Sequence, residues 1–224
     1  MQNTFLVPNW FLGFDILFEL FFAIITLLVA YYSFKVFKLT RSRQPKLFGT
    51  AFALMSIGFF IQLSMNALFF FFFRHWTFTP RELGILLYIY SFLIYGYTML
   101  VITGLTALVY TTIKIQDKRI LFLIGGLGLI ALLFSIHKLL VFYVISTFLT
   151  FFIVKYYIHD QGNKNTKSRR VLFGFIAILI ADILFLFSMN WAIFYVLGHI
   201  AKFAGYIIIL IHLFLVIKNG TKKK

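Results

Sequence analysis

The chain has 224 residues, 62% of them hydrophobic and only 12% charged, with a mean hydropathy of +0.98. Soluble domains run near half apolar and a quarter charged, so a water-soluble fold is excluded and an all-α, polytopic membrane protein is implied. The lack of cysteine removes disulfides, thiolate metal sites and cysteine nucleophiles. The formal charge of +15 invites a nucleic-acid partner, but the cations abut apolar runs, where anionic lipid headgroups want them, and none is expected.

A bilayer core of about 30 Å takes about 20 apolar helical residues. Seven spans are predicted on that measure: 10–34, 47–73, 83–113, 120–136, 139–157, 171–188 and 191–217. Residues 1–224 read as one membrane domain, a seven-transmembrane-helix bundle. The opening MQNTFLVPNW has no basic segment and no small-residue cleavage site, so the first span is expected to be retained.

In the first span Asp15 and Glu19 are four apart and share a helix face, which Thr26 and Ser33 continue. The second carries Gln62 and Asn66 at the same spacing, then Arg74, His75 and Trp76 as an interfacial anchor. The third offers Tyr88, Ser91 and Tyr95 at comparable depth, and the fourth a GGLG at 125–128 suited to close helix packing. Tight turns are expected at His137-Lys138 and Met189-Asn190. The sixth span contains Asp182, and the seventh aligns Trp191, Tyr195, His199, Lys202 and Tyr206 in one narrow sector. No internal repeat is evident.

Seventeen of the 21 Lys and Arg fall in the first, third and fifth connections, the helix ends beside them and the KNGTKKK tail; Arg74, Arg81 and Lys138 fall on the other side, and Lys202 is left over. The positive-inside rule then predicts the N-terminus outside and the C-terminus cytoplasmic. At about 1.5 Å per residue, Asp15, Glu19, Asp182, His199 and Lys202 all lie about 8 to 16 Å below the outer surface.

Ionisable groups in a span cost a few kcal/mol and point to a task or a partner. Three of the six acids are interior, against one Lys and one His. That surplus implies a protonated acid, a protonated His199, or a cationic ligand. The expected roles are Asp15, Glu19 and Asp182 as anionic groups, Lys202 as counter-charge to Asp182 or Glu19, His199 as pH-responsive member, Tyr195 and Tyr206 as hydrogen-bonding walls, and Gln62 and Asn66 as polar support. A purely structural network specifying helix packing is the bland alternative.

No cofactor is expected: His199 has no mate at matching depth for haem, and zinc lacks clustered donors. Nor is an enzyme, since intramembrane proteolysis needs a Ser-His pair or paired Asp. Below Lys202 only Thr26, Ser33, Tyr206 and His212 are polar, so the inner half is expected to be closed. That favours an outward-opening receptor or sensor-like site for a small or cationic ligand over a proton- or cation-coupled carrier or channel.

The pattern His199-x-x-Lys202-x-x-x-Tyr206 in the last span, with the first span's exit YYSFKVFKLTRSRQPKLF, resembles multi-helix membrane sensor domains of prokaryotic signalling proteins and uncharacterised archaeal seven-helix membrane proteins. That resemblance implies a prokaryotic cytoplasmic membrane and, as no output domain follows, a separate signalling partner. Lys202 in the middle of the seventh helix also resembles the Schiff-base lysine of retinal proteins. The third span lacks their carboxylate and Arg, and Gly198 stands where microbial members carry Asp.

The cysteine-free chain is ready for a labelling test of orientation. With Asn190→Cys an impermeant maleimide should react in intact cells, whereas Ser42→Cys should react only after permeabilisation; the reverse pattern inverts the topology.

Overall fold

In a computed structural model, the described residues are 8–11, 13–75, 79–113, 118–160 and 166–221. A 3-10 turn, Asn9–Phe11, precedes seven helices: α1 (Phe14–Thr40), α2 (Arg43–His75), α3 (Pro80–Ile113), α4 (Lys118–Phe134), α5 (Lys138–Asp160), α6 (Thr166–Phe187) and α7 (Ile193–Thr221). No strand occurs among the described residues. Trp76 and the last three lysines lie outside them, as do the side chains of Arg74 and His75, so the proposed anchor and tail are not placed.

Six helices are long and apolar enough to cross a membrane. The fourth is the exception to the expected seven: at 17 residues it is about 26 Å long, short of a 30 Å core. The longer helices overrun their predicted spans because the polar flanks also stay helical. Pro45 is tolerated in the first turn of α2, where its missing N–H is no loss. Ahead of α3, Thr79 donates its N–H and hydroxyl to Glu82 Oε2 at 2.9 and 2.8 Å, a capping box that holds the Glu82 carboxyl below its usual range.

Each helix of the ring packs on the next: α1 on α2, α2 on α3, α3 on α5, α5 on α6, α6 on α7, and α7 back on α1. α4 lies outside against α3 and α5, with Phe122, Leu127 and Phe134 exposed. Gly125 faces Thr106 and Gly128 faces Ile102, so part of the GGLG is a packing surface, antiparallel to α3. The end at which α1, α3, α5 and α7 begin is the upper end.

Two crossings of the ring are alike, which the sequence hides. The order α1-α2-α3 recurs as α5-α6-α7, and the two halves match at their tightest crossings. A Cβ on Gly104 of α3 would lie 2.8 Å from the Ala51 carbonyl oxygen and 2.6 Å from Met55 Cγ. One on Gly205 of α7 would lie 2.8 Å from the Gly174 carbonyl oxygen and 2.7 Å from Ile178 Cγ1. Lipid offers no hydrophobic drive between helices, so backbones that touch through small residues carry much of the packing.

Gly205→Val should therefore cost about 1–3 kcal/mol by overpacking, while Gly126→Ala, which meets nothing within 4 Å, should be neutral. Thermal unfolding of the purified protein in detergent reads the difference.

Candidate functional site

The spacing-based stripes on α1 and α7 turn inward and meet. Glu19, Asp182, His199 and Lys202 are 1%, 0%, 3% and 4% exposed, and Tyr206 is buried beside them. Lys202 Nζ lies 3.4 Å from Asp182 Oδ1. The other oxygen, Oδ2, accepts from Ser146 Oγ at 2.6 Å and from Thr150 Oγ1 at 3.4 Å. The ammonium also faces the rings of Phe59, Tyr143 and Phe185 at 5.8, 5.9 and 5.4 Å, within cation–π range. Gly198 favours this arrangement, because a Cβ there would lie only 3.0 Å from the nearest Phe185 ring carbon and press the ring aside.

Glu19 is not the partner of Lys202. Its Oε1 accepts from Asn66 Nδ2 at 2.6 Å, and Gln62 stands beside the carboxyl. Oε2 has no hydrogen-bond partner among the described residues. Asp15 is spoken for locally: Oδ1 accepts from the Gly13 and Ile16 N–H groups, both at 2.9 Å, at the start of α1. Gly13 turns the chain there with φ 101°, a conformation open to glycine. Glu19 is thus the buried carboxylate left with neither a cation nor a full set of hydrogen bonds among the described residues.

His199 is held by a backbone carbonyl and a cage of rings. Nδ1 lies 2.9 Å from the Tyr195 carbonyl, which can only accept, so the proton sits on that nitrogen. Rings of Phe11, Phe18, Phe22, Phe185 and Tyr195 surround the imidazole at 4.5 to 5.9 Å. No carboxylate stands within ion-pair reach of it among the described residues. Tyr195 and Phe11 close the upper mouth edge to face at 6.0 Å, and the buried Phe11 sits over the site. Phe11 also packs on His199 at 5.5 Å, so rings cover the imidazole at the upper end.

Other expectations are corrected too. Tyr88 is 78% exposed, and Tyr95 turns to α4 and carries the Lys138 ammonium 3.9 Å over its ring. The buried residues of α3 at this level are Ile94, Tyr97 and Thr98 instead. Trp191 is exposed, so the α7 stripe begins at Tyr195. Ser146, Thr150 and Tyr143 on α5 went unnoticed, although Ser146 and Thr150 share the spacing of four used to read α1.

The lower half is open, not closed. A cavity of about 460 Å³ is lined by all six ring helices, among them Ser33, Gln44, Thr112, Tyr156, Val171 and His212. Rings in sequence separate it from the charges: Phe48 meets Phe52 at 4.8 Å, Phe52 meets Tyr206 at 6.4 Å, and Tyr206 meets Phe59 at 5.9 Å. Phe59 in turn faces Lys202.

The two halves place different chemistry at matching positions. Eight residues on from Ala51 stands Phe59, and eight on from Gly174 stands Asp182; three before Gly104 stands Val101, and three before Gly205 stands Lys202. The ion pair belongs to the second half alone, whereas Glu19 stands on α1 in the first. Among the described residues no three His, Asp or Glu cluster as metal ligands. Comparison with protein-family models, curated proteins and solved structures finds no match.

Lys202→Met and Asp182→Asn should each destabilise the fold by about 3–5 kcal/mol, since each leaves a buried partner uncompensated. The double variant should recover much of that loss. Strict additivity in thermal unfolding would mean the two groups do not act as a pair.

Proposed function

We propose that this chain is a carrier for a small solute, coupled to protons or another cation, in a prokaryotic cytoplasmic membrane. The observation that carries the reading is the stacking along the ring axis: a stopper at Phe11, a charge layer of Glu19, Asp182 and Lys202, an aromatic partition, and a cavity open at the lower end. A closed upper side with an open lower side is what one state of an alternating-access protein requires. Binding near the midplane, between parallel repeats related by an axis along the membrane normal, recurs among transporters. Glu19 and the Asp182–Lys202 pair are the coupling groups, because adding or removing one proton there changes how many charges the layer must balance.

The cation-rich lower end faces the cytoplasm and its anionic headgroups, with the N-terminus outside. No bond is made or broken in the solute. A second reading, a receptor-like bundle acting through a signalling partner, is favoured by the unmatched Oε2 of Glu19, which would take a cationic ligand once Phe11 moved aside. The retinal reading keeps Asp182 as counter-ion to Lys202, but three rings occupy the approaches to the ammonium and we rank it third.

Proteoliposomes loaded with a pH-sensitive dye separate these readings. Sugars, polyols, amino acids and carboxylates added one at a time should include one that drives proton movement, reduced about tenfold or more by Glu19→Gln. If no solute moves protons while a cation saturably stabilises the protein, the receptor reading replaces the carrier.

A further inference from the structure

The chemistry of the lower cavity narrows what it can hold. None of the residues lining it is Asp, Glu, Lys or Arg. A charged solute entering there would lose hydration without meeting an opposite charge, at a cost of several kcal/mol. The polar side chains present are hydroxyls, an amide and one imidazole, contributed by separate helices: Ser33 from α1, Gln44 from α2, Thr111 and Thr112 from α3, Tyr156 from α5 and His212 from α7. Between them Phe48 and Leu213 supply apolar surface. Convergent neutral donors and acceptors beside ring faces suit a molecule with hydroxyls on its edges and C–H groups on its faces. The volume, about 460 Å³, falls in the range of small-molecule pockets.

We propose that this cavity binds a small uncharged hydroxylated solute of the sugar or polyol class. Arg41, Arg43 and Lys46, exposed and next in sequence to the lining residues Ser42, Gln44 and Pro45, attract anions, but they are solvated and outside the lining. Gln44 and Thr112 act as the hydrogen-bonding residues and Phe48 as the floor on which the solute rests. The inference deepens the carrier reading and relies on it only for what happens to the solute after binding.

Calorimetric titration of the full-length protein in nanodiscs with D-glucose, xylitol, sodium acetate and sodium phosphate tests it without any flux. Glucose or xylitol should bind saturably, and the combined Gln44→Leu and Thr112→Val substitutions should weaken binding about tenfold, the expected loss of one or two hydrogen bonds. Gly126→Ala, remote from the cavity, serves as the folded control. Binding of acetate or phosphate in place of the neutral probes overturns the proposal. So does binding of none of the four, or a co-purified lipid in native mass spectra that is displaced by a bulky Thr112→Trp substitution. Saturable binding by glucose or xylitol with no solute-driven proton movement would remove the carrier reading and leave the site standing; proton movement driven by a solute that ignores the cavity variants would do the opposite.

Discussion

A carboxylate with no access to solvent must be answered by protein, and Asp182 is answered from two neighbouring helices at once. Lys202 comes from α7, Ser146 and Thr150 from α5, and the carboxylate itself from α6. None of these helices can slide by a turn without stripping the anion of a partner. Buried ion pairs often contribute little net stability against an apolar substitute, yet they punish the wrong arrangement heavily. In lipid, where apolar faces are indifferent to one another, such a penalty is a strong source of register.

Much of this was readable from residue spacing, and the failures have identifiable causes. Ionisable residues in an apolar helix can face only inward, so Glu19, Asp182, His199 and Lys202 announced their own faces. Tyrosine carries no such obligation, and the α3 face was misphased by about half a turn: Tyr97 is inside where Tyr95 was expected. Hydroxyl residues are more ambiguous still. Thr98, Thr106 and Thr147 each return a hydrogen bond to the carbonyl four residues back, so a serine or threonine in a membrane helix need not seek a partner elsewhere. Nothing in the letters separates Thr147 from Ser146, which does. The lower cavity was missed because it draws on α3 and α5, whose polar residues fell outside the stripes of α1 and α7. For α4 the predicted span, 120–136, has the observed length but sits two residues late; what misled was taking 17 residues as enough to cross a core of about 30 Å.

The likeness of the two crossings was hidden for a related reason. What recurs is a backbone approach, met in one half by alanine, methionine and glycine and in the other by glycine, isoleucine and glycine. At the level of the ion pair the halves diverge altogether, Phe59 and Val101 standing where Asp182 and Lys202 stand. Shape is shared and electrostatics are not. The scaffold carries its ion pair on one side, where Asp182 offers the ammonium a full negative charge while Phe59 opposite offers only a ring face.

The glycine crossings also bear on how such a ring would flex. Where main chains touch, as at Gly104 against Ala51 and Gly205 against Gly174, there is no intervening side chain to swivel, and the two helices behave as a welded couplet. The seams between α3 and α5 and between α1 and α7 are padded by large residues, including Phe142 against Tyr97 and Phe203 against Phe18. At those seams side chains rather than glycine backbones set the spacing between helices, so the size of the rings there decides how closely the neighbouring helices approach.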